Sequence, residues 1–153
     1  MVSVLIAYDT KYGNTQRVAE AIAQELQAAP EMKATVQNIK KVDMKTISAF
    51  DVFLVGAPTH FGGPTRASKG FIERLGKIKS EGKRIAVFDT YITEDFEKGV
   101  RNMEEHIREK APSLTIITPG LSIRVLDMKG PIADGELPKC HDFGKRIAAL
   151  IRD

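Results

Sequence analysis

The chain has 153 residues, 42% apolar and 28% charged, with a net charge of +3 and one cysteine, Cys140. That is the mix of one soluble globular domain, 1–153, long enough to bury a core without disulfides or a structural metal. A lone cysteine fits a reducing, cytoplasmic setting. No run approaches the roughly 18 apolar residues of a membrane span and no signal peptide is read at the start, which excludes a membrane protein, a secreted disulfide scaffold and a disordered tail.

In chain order, Val2–Tyr8 is a short, β-branched apolar run, as expected of a buried parallel strand. From Thr15 the spacing of Val18, Ile22 and Leu26 is helical and lasts until Pro30. Residues 33–39 alternate like a less buried strand, and residues 51–56 form a second wholly apolar run. Phe71, Ile72, Leu75 and Ile78 predict a second helix reaching toward Gly82. Residues 84–88 read as the next strand. Val100, Met103, His106 and Ile107 share one face of a third helix that stops before Pro112. Residues 114–117 and 122–126 predict a final, interrupted strand, and Phe143, Ile147, Ala148 and Ile151 a closing helix. Residues 119–135 read equally as part of that strand or as a partner-facing loop.

Five strands alternating with four helices predict an α/β doubly wound, five-stranded parallel sheet with helices on both faces. In such sheets the ligand sits beyond the carboxyl ends of the strands, which selects loops 9–15, 57–64 and 89–95. The first contains Thr10, Lys11, Tyr12, Gly13, Asn14 and Thr15. Its hydroxyls, its amide, a glycine and the helix start that follows suit a phosphate. A plain cap accounts for the same residues, with Asn14 or Thr15 at the N-cap. No G-x-x-x-x-G-K-[ST] or G-x-G-x-x-G is present, which excludes the nucleoside-triphosphate and dinucleotide loops. The third strand ends without an acid, which argues against a receiver domain.

Residues 8–15 resemble the phosphate loop of flavodoxins, with Thr10, Gly13 and Thr15 in register and Ala19 at the family's small helical position. Tyr12 departs from it, standing where many flavodoxins carry Ser or Thr. The resemblance covers the whole chain, including the length of a short-chain flavodoxin, and extends to the flavodoxin domain of flavodiiron proteins. It implies the strand order 2-1-3-4-5, FMN as cofactor, and electron transport between redox partners, a donor reductase and an acceptor enzyme. It further implies that Pro58, Thr59, His60, Phe61, Gly62 and Gly63 face the flavin, with His60 or Phe61 stacking and the Gly-Gly peptide free to turn. Tyr91 would lie against the other ring face, and Asp89 and Thr90 would meet its pyrimidine edge through backbone groups. For each loop a structural reading competes: a turn leading to Pro64 at a helix start, and a cap at Thr93 or Asp95.

An FMN-dependent oxidoreductase of the NAD(P)H or quinone reductase type is the alternative on this fold, and a flavin-free interaction module a third reading. Charge bears on the partner. Residues 1–84 hold 13 basic and 8 acidic side chains, the remainder 10 and 12. Between residues 64 and 84 stand Arg66, Lys69, Arg74, Lys77, Lys79, Lys83 and Arg84. This stretch is a solvated helix face or a docking patch for an acidic partner. No metal site is expected, since the adjacent Cys140 and His141 lack a ligand spacing.

Overall fold

The computed structural model describes residues 1–152. The three longest apolar runs form the centre of one parallel sheet: β1 (Val2–Tyr8), β3 (Val52–Pro58) and β4 (Arg84–Tyr91). β2 (Met32–Asn38) pairs with the free edge of β1, and β5 (Thr115–Ile116) and β6 (Leu121–Arg124) both pair with β4. The order is therefore β2-β1-β3-β4-β5, the 2-1-3-4-5 arrangement expected, with β6 as a sixth strand on the same outer edge.

Because side chains alternate along a strand, each central strand feeds two cores. Val4, Ile6, Leu54, Ala86 and Phe88 face α1 (Asn14–Gln27) and α4 (Leu137–Ile151). Leu5, Ala7, Phe53, Val55, Ile85 and Val87 face α2 (Arg66–Leu75) and α3 (Lys98–Lys110). Two histidines tie the helices of each layer together: His141 Nδ1 lies 3.0 Å from Glu25 across α4 and α1, and His106 Nε2 lies 2.8 Å from Glu73 across α3 and α2. None of the described helices is long and apolar enough to cross a membrane.

The last strand is interrupted, as its sequence predicts, and the interruption has a specific form. β4 pairs Arg84 with Thr115 but Phe88 with Leu121, so the register slips by two residues along this edge. Pro119 cannot donate to the ladder. Gly120 lies so close to the sheet that a Cβ there would stand 2.6 Å from the Val87 carbonyl oxygen.

Three boundaries differ from expectation. β4 runs three residues past residue 88 and takes Asp89, Thr90 and Tyr91 into the sheet. α2 starts after Thr65, whose hydroxyl accepts the Ser68 N–H at 3.4 Å, so Pro64 precedes the cap instead of opening the helix. The same helix stops at Leu75 and leaves Ile78 in the following turn, packed on the second core.

Gly76 is the C-cap at this end. A Cβ at Gly76 would lie 1.8 Å from the backbone carbonyl oxygen of Lys110, at the end of α3. Gly70, inside α2, has open space around it. The two glycines of one helix should therefore respond with opposite signs. Gly70→Ala should stabilise the fold by about 0.5–1 kcal/mol through helix propensity. Gly76→Ala should destabilise it by about 1–3 kcal/mol, the usual range for overpacking. Urea midpoints of the two variants against the parent test both.

Candidate functional site

β1 ends at Tyr8, and the chain turns through residues 9–13 before α1 begins. The turn is preformed: Thr10 Oγ1 accepts the Gly13 N–H at 2.9 Å, and Gly13 takes φ +91°, a region glycine enters freely. Gly13 is itself the N-cap, without a side-chain cap hydrogen bond, and no acid stands in the first turn. The cap predicted at Asn14 or Thr15 is therefore not formed, since both lie inside the helix. The first bond of the turn runs from Arg17 N–H to Gly13 O at 3.1 Å. Asn14, Thr15 and Gln16 consequently present open N–H groups at the positive end of the helix. Thr15 is buried and shares a 2.9 Å hydrogen bond with Thr90 across the strand ends.

A cleft of about 340 Å³ opens above these groups. One wall comes from Pro58, Thr59, His60 and Phe61, the opposite one from Thr90, Tyr91, Ile92 and Asp95, and the floor of the polar end from Thr10, Lys11, Tyr12, Asn14 and Thr15. Three residues after β6, Val125, Asp127 and Met128, complete it.

The loop after β3 is a tight hairpin turn. His60 and Gly63 exchange two backbone hydrogen bonds, of 2.7 and 3.1 Å. The central residues Phe61 and Gly62 have φ +52° and +78°, the signs of a type I′ turn. Phe61 is fully exposed at the lip of the cleft. Gly62 and Gly63 turn away from it: their nearest neighbours are the side chains of Lys98 and Asn102 of α3, at 3.9 and 3.5 Å from where a Cβ would stand. Opposite, the Tyr91 ring meets Phe96 edge-on, with centroids 5.6 Å apart.

The Asp89 side chain lies behind the cleft wall, fully buried. Its Oδ2 accepts the Val100 N–H at 2.8 Å and its Oδ1 the Ser122 hydroxyl at 2.6 Å, while Ser122 Oγ accepts the Glu97 N–H at 2.9 Å. α3 is entered through Glu97 in a left-handed conformation with no side-chain cap, so the cap expected at Thr93 or Asp95 is absent and a carboxylate from the sheet satisfies the helix start. Burial pushes the Asp89 carboxyl up to about 6, against the opposing pull of Ser122 and Val100. Thr59 stands beside it with a buried hydroxyl that has no partner among the described residues.

Of the residues singled out in the sequence, Thr10, Lys11, Tyr12, Asn14, Thr15, Pro58, Thr59, His60, Phe61, Thr90 and Tyr91 line the cleft, while Gly13, Gly62, Gly63 and Asp89 shape it from outside. Sequence reasoning missed Ile92, Asp95, Val125, Asp127 and Met128 as wall residues. Apolar Val125, Leu126 and Met128 inside an otherwise polar connection were the available signal. Cys140 is buried in the α1–α4 core, and burial pushes its thiol up to about 12, which leaves it inert at neutral pH.

A dianion with a flat apolar body fits this chemistry. Open N–H groups, two threonine hydroxyls and an amide converge at one end, and aromatic and aliphatic walls flank the other.

Comparison with known proteins agrees. The family model for the flavodoxin domain matches residues 5–129. A flavodoxin of Clostridium saccharobutylicum is 27% identical over 89 residues, 58% of this chain and 56% of that protein, so the match spans little more than half of that relative. Flavodoxin 2 of Bacillus cereus superposes with a TM-score of 0.81 at 26% identity, covering 98% of this chain and 100% of that one. A flavodoxin from the domain Archaea superposes with a TM-score of 0.83 at 22% identity, covering 99% and 100%.

The Asp89 carboxyl gives a pH test. Between its ordinary value of 3.8 and about 6 the folded chain holds a proton that the unfolded chain has released, so stability falls as pH rises through this window. Asp89→Asn removes that component. The stability difference between parent and variant should shift in favour of the variant by about 2 kcal/mol from pH 4 to pH 6.5. Urea midpoints at both pH values check it, and parallel profiles would refute it.

Proposed function

The chain belongs to the flavodoxin family, whose members bind FMN and carry electrons, and on that premise we propose that it holds FMN in this cleft and shuttles electrons between a donor reductase and an acceptor enzyme. One observation carries the reading: an uncapped helix start with Thr10, Asn14 and Thr15 around it shares a cleft with an aromatic-walled slot. Those residues would hold the phosphate, with the free N–H groups doing most of the work. Pro58, His60 and Phe61 on one side and Tyr91, Ile92 and Val125 on the other would exclude water from the ring. FMN, when bound, supplies a centre that accepts and returns electrons singly or in pairs.

The wall residues bear on how strongly reduction is opposed. Asp95 is paired with Lys98 at 3.0 Å, and the Asp127 carboxylate accepts the Met128 N–H at 2.8 Å. With Lys11 on the same cleft, these acids leave little uncompensated negative charge, which argues against a very low potential. Among the seven cations of residues 64–84, Lys83 is spent on the Ser48 and Phe50 carbonyls and Arg84 on those of Leu150 and Ile151. Arg66, Lys69, Arg74, Lys77 and Lys79 make no ion pair among the described residues and support an acidic surface on the redox partner.

Asn14→Asp separates a binding role from a structural one. An acid at the first helical position favours the helix by about 0.3–1 kcal/mol. The same charge faces an incoming phosphate. The variant should melt at the same temperature or higher while FMN affinity, read by quenching of flavin fluorescence, falls at least roughly tenfold. Unchanged affinity would sink the phosphate-loop assignment. Stepwise reduction of the holoprotein, followed by its visible spectrum, should resolve two one-electron steps. Sustained turnover of NADPH or a quinone would favour the reductase alternative, and failure to take up FMN the flavin-free module.

A further inference from the structure

The hydrogen-bond partners of the buried Asp89 carboxylate are all donors. The Val100 N–H reaches Oδ2 at 2.8 Å and the Ser122 hydroxyl reaches Oδ1 at 2.6 Å, while Ser122 Oγ already accepts the Glu97 N–H. Such a ring satisfies a carboxylate, but a carboxylic acid carries a hydrogen that needs an acceptor. The unpartnered atom beside it is Thr59 Oγ1, buried and without a hydrogen bond among the described residues. Both groups flank one point of α3: a Cβ on Gly99 would stand 2.6 Å from Thr59 Oγ1 and 2.9 Å from Asp89 Oδ2. A side chain at position 99 would crowd both oxygens, and glycine leaves the way open.

The carboxyl therefore has two arrangements available. Charged, it holds the first turn of α3 and the strand β6, next to the segments 92–95 and 125–128 that line the cleft. Protonated, it gains an acceptor in Thr59, on the loop that forms the opposite wall. Burial keeps both forms accessible around neutral pH, since it lifts the carboxyl to about 6. Glu97, at the entry to α3, is the charged neighbour, and its carboxylate is paired with Arg101 at 3.1 Å. Tyr91 is the titratable group on β4 that senses Asp89. β6 and the loop after β3 offer the Ser122 and Thr59 hydroxyls, and His60 lines the cleft instead.

We infer that Asp89 is a positioning residue that takes up a proton from solvent as the cleft is loaded, its acid form then donating to Thr59 and tying the β4 wall to the loop after β3. The inference rests on the flavin reading above and gives that site a proton as co-ligand. A flavin nucleotide displaces water from the wall and brings negative charge toward it, and both effects disfavour the carboxylate. The step is a protonation only: one O–H bond forms on the carboxyl, nothing is oxidised or reduced, and Ser122 keeps Oδ1 as its acceptor. Linkage makes the effect reciprocal, so the acid form also favours loading.

Calorimetry of FMN binding to the full chain, run in two buffers of different ionisation enthalpy, counts the protons exchanged. At pH 6.5 the parent should take up a larger fraction of a proton per FMN than Asp89→Asn, whose neutral amide already carries a donor for Thr59. Any titration of the ligand itself is common to both and cancels. At pH 7.5 Asp89→Asn should bind FMN roughly three- to tenfold more tightly than the parent, the worth of one buried hydrogen bond, and at pH 5 the two should converge. Carbon-13 NMR of the carboxyl gives a readout without flavin. In the unloaded chain Thr59→Val should lower the Asp89 titration, because the acid form loses its acceptor, and Thr59→Ser should restore it. Equal proton counts for parent and Asp89→Asn, or a raised titration in Thr59→Val, would overturn the inference while leaving flavin binding intact. If the parent takes up no FMN, the proposed function falls and the proton exchange with it.

Discussion

A strand buried on both faces has no side on which to display a polar group, so its chemistry is forced to its ends. β1, β3 and β4 are of this kind, with apolar residues alternating into two separate cores. The parallel order then aligns all their carboxyl ends on one edge, because each crossover carries the chain back over a face of the sheet. The cleft is a consequence of that geometry. Loops from four strands meet there, and each can vary its residues without disturbing the sheet that positions it.

Asp89 shows what happens when a charge is nevertheless placed inside. The carboxylate is drawn one residue below the rim and survives because backbone N–H and hydroxyl donors reach it from two other elements. Glu97 opens α3 in a left-handed conformation without a side-chain cap, and the sheet provides the acceptor that the helix lacks. The wall formed by Tyr91, Ile92 and Asp95 is thereby anchored at both ends, by β4 on one side and on the other by the start of α3, which the Asp89 carboxylate holds. Thr59 and Gly99 crowd the same spot, where a Cβ on Gly99 would stand 2.6 Å from Thr59 Oγ1.

The features legible in the sequence were those carried by local pattern. Apolar runs located β1, β3 and β4, and the spacing of Thr10, Gly13 and Thr15 marked the loop that faces the cleft. Features set by contacts distant in sequence were not legible. Position 76 has no room for a side chain because the carbonyl of Lys110, 34 positions later in the chain, occupies that space. Asp89 reads as a loop residue until Ser122 and Val100 are seen to enclose it. Val125, Asp127 and Met128 reach the cleft on a loop that packs against α1, where a Cβ on Gly130 would stand 2.7 Å from Asn14 Oδ1, a contact with no periodicity to betray it. The cap of α1 was misplaced for a local reason: Asn14 and Thr15 have the right side chains for an N-cap, but the Thr10 hydroxyl accepts the Gly13 N–H and fixes the turn one residue earlier.

The two-residue slip between β5 and β6 works like an expansion joint in the outer edge of the sheet. β5 is tied to the base of β4 and β6 to its top, with the excess length taken up around Pro119 and Gly120. Strain or length introduced on one side of the joint need not propagate to the other. The loop that finishes the cleft can therefore drift in sequence and size while the lower edge, and the core packed on it, stays in register. Such mechanical isolation makes this wall the one most open to remodelling.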